Sequence, residues 1–108
     1  MYLLITFIPE EDSEKVIEAI FDAGAGRFSK YDRAGFTSKG VGRFRPLENA
    51  NPHIGQIGKD EFVNEVRFET IVEDSLIYDV IKALRKAHPY EEPAIYVMKL
   101  DEKSFDSV

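Results

Sequence analysis

Apolar and polar positions follow two distinct periods along this chain, and each change of period marks an element. Tyr2–Ile8 is a short run of branched and aromatic residues, which reads as a buried strand. Pro9-Glu10-Glu11-Asp12-Ser13 then supplies a turn and acids suited to a helix N-terminus. Val16, Ile17, Ile20 and Phe21 recur at helical spacing, and Gly24 and Gly26 end that helix. From Arg27 to Phe44 the pattern predicts two strands, Phe28–Thr37 and Val41–Arg45, turning at Ser38-Lys39-Gly40. A loop from Pro46 to Lys59 carries two prolines, two asparagines and two glycines. Strict alternation returns over Phe62–Val72, with Val66, Phe68, Thr70 and Val72 on one face and Glu65, Arg67 and Glu69 on the other. Glu73-Asp74-Ser75 caps a second helix with apolar positions Leu76, Ile77, Val80, Ile81 and Leu84. Ala94–Leu100 is the last strand, and the final eight residues, Asp101–Val108, are mostly polar and expected to be mobile.

The two halves repeat faintly. Glu11-Asp12-Ser13 before Val16-Ile17-Glu18-Ala19-Ile20 echoes Glu73-Asp74-Ser75 before Val80-Ile81-Lys82-Ala83-Leu84. Each half runs strand, acidic cap, helix, strand. The expected fold is α+β: a ferredoxin-like βαβ–β–βαβ sandwich, with an antiparallel sheet and both helices on one face. A single domain over residues 1–100 with a polar tail at 101–108 accounts for the length. The first strand is apolar on both faces, with Leu4 and Ile8 on one and Leu3, Ile5 and Phe7 on the other. The last strand repeats this, Tyr96 and Met98 against Ile95 and Val97. Two helices cover only one sheet face, so the other would show water a large apolar patch, which predicts self-association through it.

Composition narrows the function classes. Apolar residues make up 44% and aromatics 12%, an ordinary globular balance. The absence of cysteine excludes disulfides and thiolate metal sites and suits a reducing compartment, so a cytoplasmic address is expected. No apolar run reaches membrane-span length, and Met1 leads into the first strand without a basic segment, so no signal peptide is expected. Twenty acidic residues against fourteen basic ones give a formal charge of −6, which disfavours nucleic-acid backbones as partners. The local exception is Arg27, Lys30, Arg33, Lys39, Arg43 and Arg45, read as an anion-binding surface or, more simply, a solvated hairpin face.

Chemistry concentrates in His88-Pro89-Tyr90-Glu91-Glu92-Pro93, between the second helix and the last strand. Pro89 stops the helix and Pro93 starts an extended segment. His88, Glu91 and Glu92 carry donor types for a divalent cation, with His53 arriving from the long loop. The alternative is that His88 caps the helix C-terminus and Tyr90 packs at the edge. Glu65, Arg67 and Glu69 line one strand face, which suits a charged pocket or a routine cross-strand charge pattern. Gly40-Val41-Gly42-Arg43-Phe44-Arg45-Pro46 sets flexible backbone beside two guanidinium groups, suited to a phosphate or carboxylate. It opens no helix and lacks a Walker lysine, so it is no P-loop. No nucleophile is paired with an evident base.

Five segments together resemble the inserted middle domain of the Nif-three-like family of dinuclear-metal-centre hexameric proteins. They are Asp22-Ala23-Gly24-Ala25-Gly26, Gly40 to Pro46, Ile54-Gly55 with Gly58, Glu65-Val66-Arg67-Phe68-Glu69, and Ala83-Leu84 running to Ala87-His88-Pro89-Tyr90-Glu91-Glu92-Pro93-Ala94. The resemblance implies a CutA/PII-like fold and a trimeric habit, in agreement with the topology and the bare sheet face. It also implies that the family's two-metal site lies in flanking domains, so its hydrolase chemistry is not expected of these residues. The chain reads as a stand-alone homologue of the insert.

Three readings follow. The leading one is a non-enzymatic homotrimeric module that binds a small ligand or divalent metal ion through His88, Tyr90, Glu91, Glu92, Arg43, Arg45, Glu65 and Arg67. The second is a metal-assisted hydrolase with one ion on His53, His88 and Glu91. The third is a partner-binding lid with no ligand. Fold alone does not choose among them.

Overall fold

A computed structural model describes residues 1–106 of the chain. Strand β1 spans Tyr2–Pro9 and helix α1 spans Ser13–Asp22; strands β2 and β3 span Gly35–Phe44 and Glu61–Val72. Helix α2 spans Ile77–Ala87 and strand β4 spans Ile95–Lys99. The sheet order is β2-β3-β1-β4, antiparallel throughout, so each helix crosses over one intervening strand. This is the expected α+β ferredoxin-like fold.

The core lies between the sheet and the helices. Leu4, Ile8, Phe68 and Val72 from the sheet pack on Val16, Ile20, Val80 and Leu84 from the helices, all essentially inaccessible to solvent. Phe21 meets Phe68 edge-on at 5.5 Å, in the favoured geometry for aromatic pairs. Two hydroxyls on the same sheet face find carbonyls: Thr6 Oγ1 donates to Ala94 at 2.8 Å and Thr70 Oγ1 to Ala34 at 2.7 Å. Both helices start after short 3-10 turns, Glu10–Asp12 and Asp74–Leu76, and the acids expected as caps make no side-chain cap hydrogen bond there.

The middle of the chain differs from expectation. The two strands expected at Phe28–Thr37 and Val41–Arg45 are one continuous strand, β2, and Ser38-Lys39-Gly40 lies within it rather than at a turn. Glycine at positions 40 and 42 mimics a turn signal, but both pair with β3. The true turn is earlier: Phe28 and Tyr31 exchange backbone hydrogen bonds of 2.9 Å around Ser29-Lys30. Gly26, at φ +81°, donates its N–H to Ile71 at 2.7 Å and carries the chain from α1 back to the sheet. The tail expected to be mobile forms a 3-10 turn at Glu102–Phe105, with the Phe105 ring 5.3 Å from Phe28. The last two positions of that tail lie outside the described residues.

β1 ends opposite Glu65, so Val41–Phe44 and Glu61–Asn64 pair only with each other. That two-stranded arm extends beyond the body, and the molecule measures 51 × 23 × 22 Å. The face of the sheet away from the helices carries Leu3, Ile5 and Phe7, Tyr96 and Met98, Phe36, and the row Glu65, Arg67, Glu69. No element of the described residues covers most of it: Phe36 is 63% exposed, Tyr96 53% and Met98 47%.

Candidate functional site

The base of the arm is where the chemistry gathers. α2 ends at His88, whose backbone turns extended (ψ 135°), as the following proline demands. Its N–H still bonds Leu84 O at 2.8 Å, which makes His88 the C-cap. The ring lies 2.8 Å from Phe7 O through Nε2, and Nδ1 accepts the Tyr90 N–H at 3.1 Å. Nε2 must therefore carry the proton, and the imidazole is held neutral. Burial lowers its pKa below the ordinary 6.5, with the Phe7 carbonyl opposing that shift. His88 is thus a structural pin between β1 and the His-Pro-Tyr-Glu-Glu-Pro turn.

That pin aims Tyr90 at the sheet. The phenol donates to Glu65 Oε2 at 2.8 Å, and the Tyr90 ring meets Phe44 edge-on at 5.8 Å. Burial and the adjacent Glu65 carboxylate push the Tyr90 pKa well above the usual phenol range. Glu65 sits on the face that the helices leave bare, yet it is only 8% exposed. Gly40 is directly across the ladder, and the carboxylate lies over Gly42, where an added Cβ would come 1.8 Å from Oε1. The missing side chain of Gly42 therefore lets a carboxylate lie flat on the sheet.

The long loop completes the site. It folds back so that the Asn51 N–H donates to Glu91 Oε1 at 3.0 Å. Between loop, sheet and turn lies a cavity of about 990 Å³. Its walls include Phe7 and Tyr96, an edge-on pair at 5.8 Å, with Phe44, Tyr90, Glu65, Arg67 and the loop residues Glu48 and His53. Size and lining suit a small molecule.

Several expected site residues meet here: Tyr90, Glu91, Glu92, Glu65, Arg67 and Arg45 all border the cavity. Arg43 borders it through the strand, but it alternates to the opposite face of the arm, where its guanidinium stacks 4.7 Å over Phe62. Arg67 turns from Glu65 to Glu69, at 3.6 Å, and lies 5.9 Å over Phe7. The expected metal set of His53, His88 and Glu91 is not assembled. Both His88 nitrogens are engaged by backbone groups and Glu91 holds the loop. Among the described residues no group of three or more His, Asp or Glu side chains is disposed to hold a metal ion. The basic stretch is also dispersed: Arg33 pairs with Glu18 and Asp22, and Lys39 with Glu10. Sequence reasoning missed Phe7, Phe44 and Tyr96 as wall residues. Their signal was parity, because each shares a sheet face with Glu65.

The fold is that of CutA. The chain is similar to the crystal structure of CutA1 from Pyrococcus horikoshii, with a TM-score of 0.68 and 19% identity over 94% of this chain and 84% of that one. Its sequence relatives define the family more narrowly. It is 46% identical over 94 residues to a GTP cyclohydrolase 1 type 2 homolog of Halalkalibacterium halodurans, covering 87% of this chain and 25% of that protein. The crystal structure of a Bacillus cereus protein related to NIF3 matches with a TM-score of 0.80 and 43% identity, over 93% of this chain and 25% of that one. The chain is a homologue of the CutA/PII-like domain of the NIF3 family. It spans about a quarter of the length of the relatives it matches. No protein-family model matches the chain. Among the described residues no helix is long and apolar enough to cross a membrane.

Proposed function

We propose that this domain is a non-enzymatic small-ligand-binding module that assembles as a homotrimer through its bare sheet face. The observation that carries the reading is the cavity over Glu65 and Tyr90. It is walled by aromatics, bordered by a tethered loop, and floored by a buried carboxylate that Gly42 makes room for. Exposed Phe36, Tyr96 and Met98 on the same face support assembly, because a monomer would leave them in water. The cyclohydrolase of the relatives' name belongs to much longer proteins, of which this chain spans about a quarter.

Native mass spectrometry of the purified protein, with and without chelator, tests both parts. A trimer carrying a stoichiometric small-molecule adduct that survives chelation is the expected result. A trimer that loses a metal on chelation would replace the small ligand by an ion, and a monomer would overturn the assembly.

A further inference from the structure

The cavity's floor and walls specify the charge of what it takes. Glu65 is more than nine-tenths buried, and among the described residues its one hydrogen bond is the Tyr90 phenol on Oε2. Oε1 lies against Gly42 and has no donor from the described residues. The nearest cation along the strand, Arg67, is committed to Glu69 and to the face of Phe7. Arg43 and Lys39 alternate to the other face of β2, where Phe62 and Glu10 hold them. Carboxylates and cations border the space in equal number, Glu48, Glu65, Glu91 and Glu92 against Lys39, Arg43, Arg45 and Arg67, but Lys39 and Arg43 are held on the other face of β2. Among the described residues no fully buried side-chain oxygen lacks a partner, so Oε1 keeps an opening to the cavity, where water or the N–H of a ligand reaches it. The aromatic walls favour a cation as well, since ring faces attract ammonium and guanidinium groups.

We infer that the cavity binds a small organic cation bearing N–H donors, an amine, amidine or guanidine, with one N–H on Glu65 Oε1 and its charge against the aromatic walls. The inference rests on the ligand-binding reading above and adds the ligand's class. A divalent metal ion suits this floor poorly, because a single carboxylate oxygen converges there without a second hard donor. An inorganic anion would face the Glu65 carboxylate directly.

Amide NMR of the whole chain separates the outcomes, with agmatine, tetramethylammonium and inorganic phosphate as probes and the Gly42, Asn51 and Tyr90 signals as reporters. Agmatine is expected to shift all three and to bind at least about tenfold more weakly to Glu65→Gln, the loss of one charged hydrogen bond. Glutamine still accepts from the Tyr90 phenol, and a dispersed spectrum verifies that the variant is folded. Equal agmatine binding by wild type and Glu65→Gln would overturn the inference. Tetramethylammonium binding as tightly as agmatine would remove the N–H donor from it. Phosphate shifting the same signals, undiminished in Glu65→Gln, would overturn the cation class and leave the binding site standing. No response to any probe would sink both. Reporter shifts on protein dilution alone would place a second copy's side chain in the cavity and overturn the small molecule.

Discussion

The Tyr90 phenol donates to Glu65 Oε2 at 2.8 Å, joining the turn after α2 to the bare face of β3. This bond is the only one the described residues offer the Glu65 carboxyl, so its removal leaves a buried carboxylate without a protein donor. Tyr90→Phe keeps the ring against Phe44 and deletes just that donor. The expected cost is about 1–3 kcal/mol of unfolding free energy, read from the denaturant midpoint at unchanged slope. A change below about 0.5 kcal/mol would mean that water satisfies Glu65 instead.

The glycines of β2 give a paired prediction. An alanine methyl at position 42 would come 1.8 Å from Glu65 Oε1, whereas one at position 40 would meet nothing within 4 Å. Gly42→Ala must push the carboxylate off the strand and is expected to lose about 1–3 kcal/mol. Gly40→Ala is expected to stay within about 0.5 kcal/mol of wild type. Equal effects would show that Glu65 does not lie over Gly42 in solution.

His88 predicts a pH dependence. Burial lowers its folded-state pKa below the 6.5 of the unfolded chain, so the unfolded state binds more protons near that pH. Stability from the neutral ring is fully present above pH 6.5 and is lost as pH falls through the folded value. Protonation also removes the Nδ1 acceptor from the Tyr90 N–H. Between about pH 6.5 and 5, above the ordinary carboxylate range, wild type should lose stability while His88→Gln stays flat. Identical slopes for the two proteins would contradict the neutral, pinned imidazole.

How far the sequence could be read varies with what its signals encode. α1, α2 and β3 were legible because their apolar positions keep a period of 3.6 or 2 against one core, as Val16, Ile20, Val80 and Leu84 show, and β1 because it is a short unbroken apolar run. β2 was not, because Gly42, which looks like part of a turn, serves Glu65, a partner more than twenty residues away. The same long-range dependence hid the role of His88. Its residue type suggests a ligand or a cap, but the Phe7 carbonyl that occupies its Nε2 lies 81 positions earlier. Tyr90, Glu91 and Glu65 were identifiable as polar residues in an unusual turn or strand. That they share a cavity with Phe7, Phe44 and Tyr96 follows from sheet order, which no local pattern carries.

The bare sheet face yields the last prediction. Phe36 on β2 and Met98 on β4 stand at opposite edges of that face, 63% and 47% exposed, with Leu3 and Ile5 of β1 and the Glu65–Glu69 row between them. Neither belongs to the core beneath the helices, so a charge at either position should leave the folded domain intact. In an assembly that buries this face, the same charge would be desolvated without a partner, a cost of several kcal/mol per site. Met98→Glu and Phe36→Glu are therefore expected to sediment as monomers at concentrations where wild type is oligomeric, with unchanged far-ultraviolet circular dichroism. Tyr78→Glu on the outer surface of α2, where the ring is 81% exposed, is the matched control and should remain oligomeric. If the two sheet-face variants keep the wild-type sedimentation coefficient while the α2 variant dissociates, the helices and not the sheet form the interface.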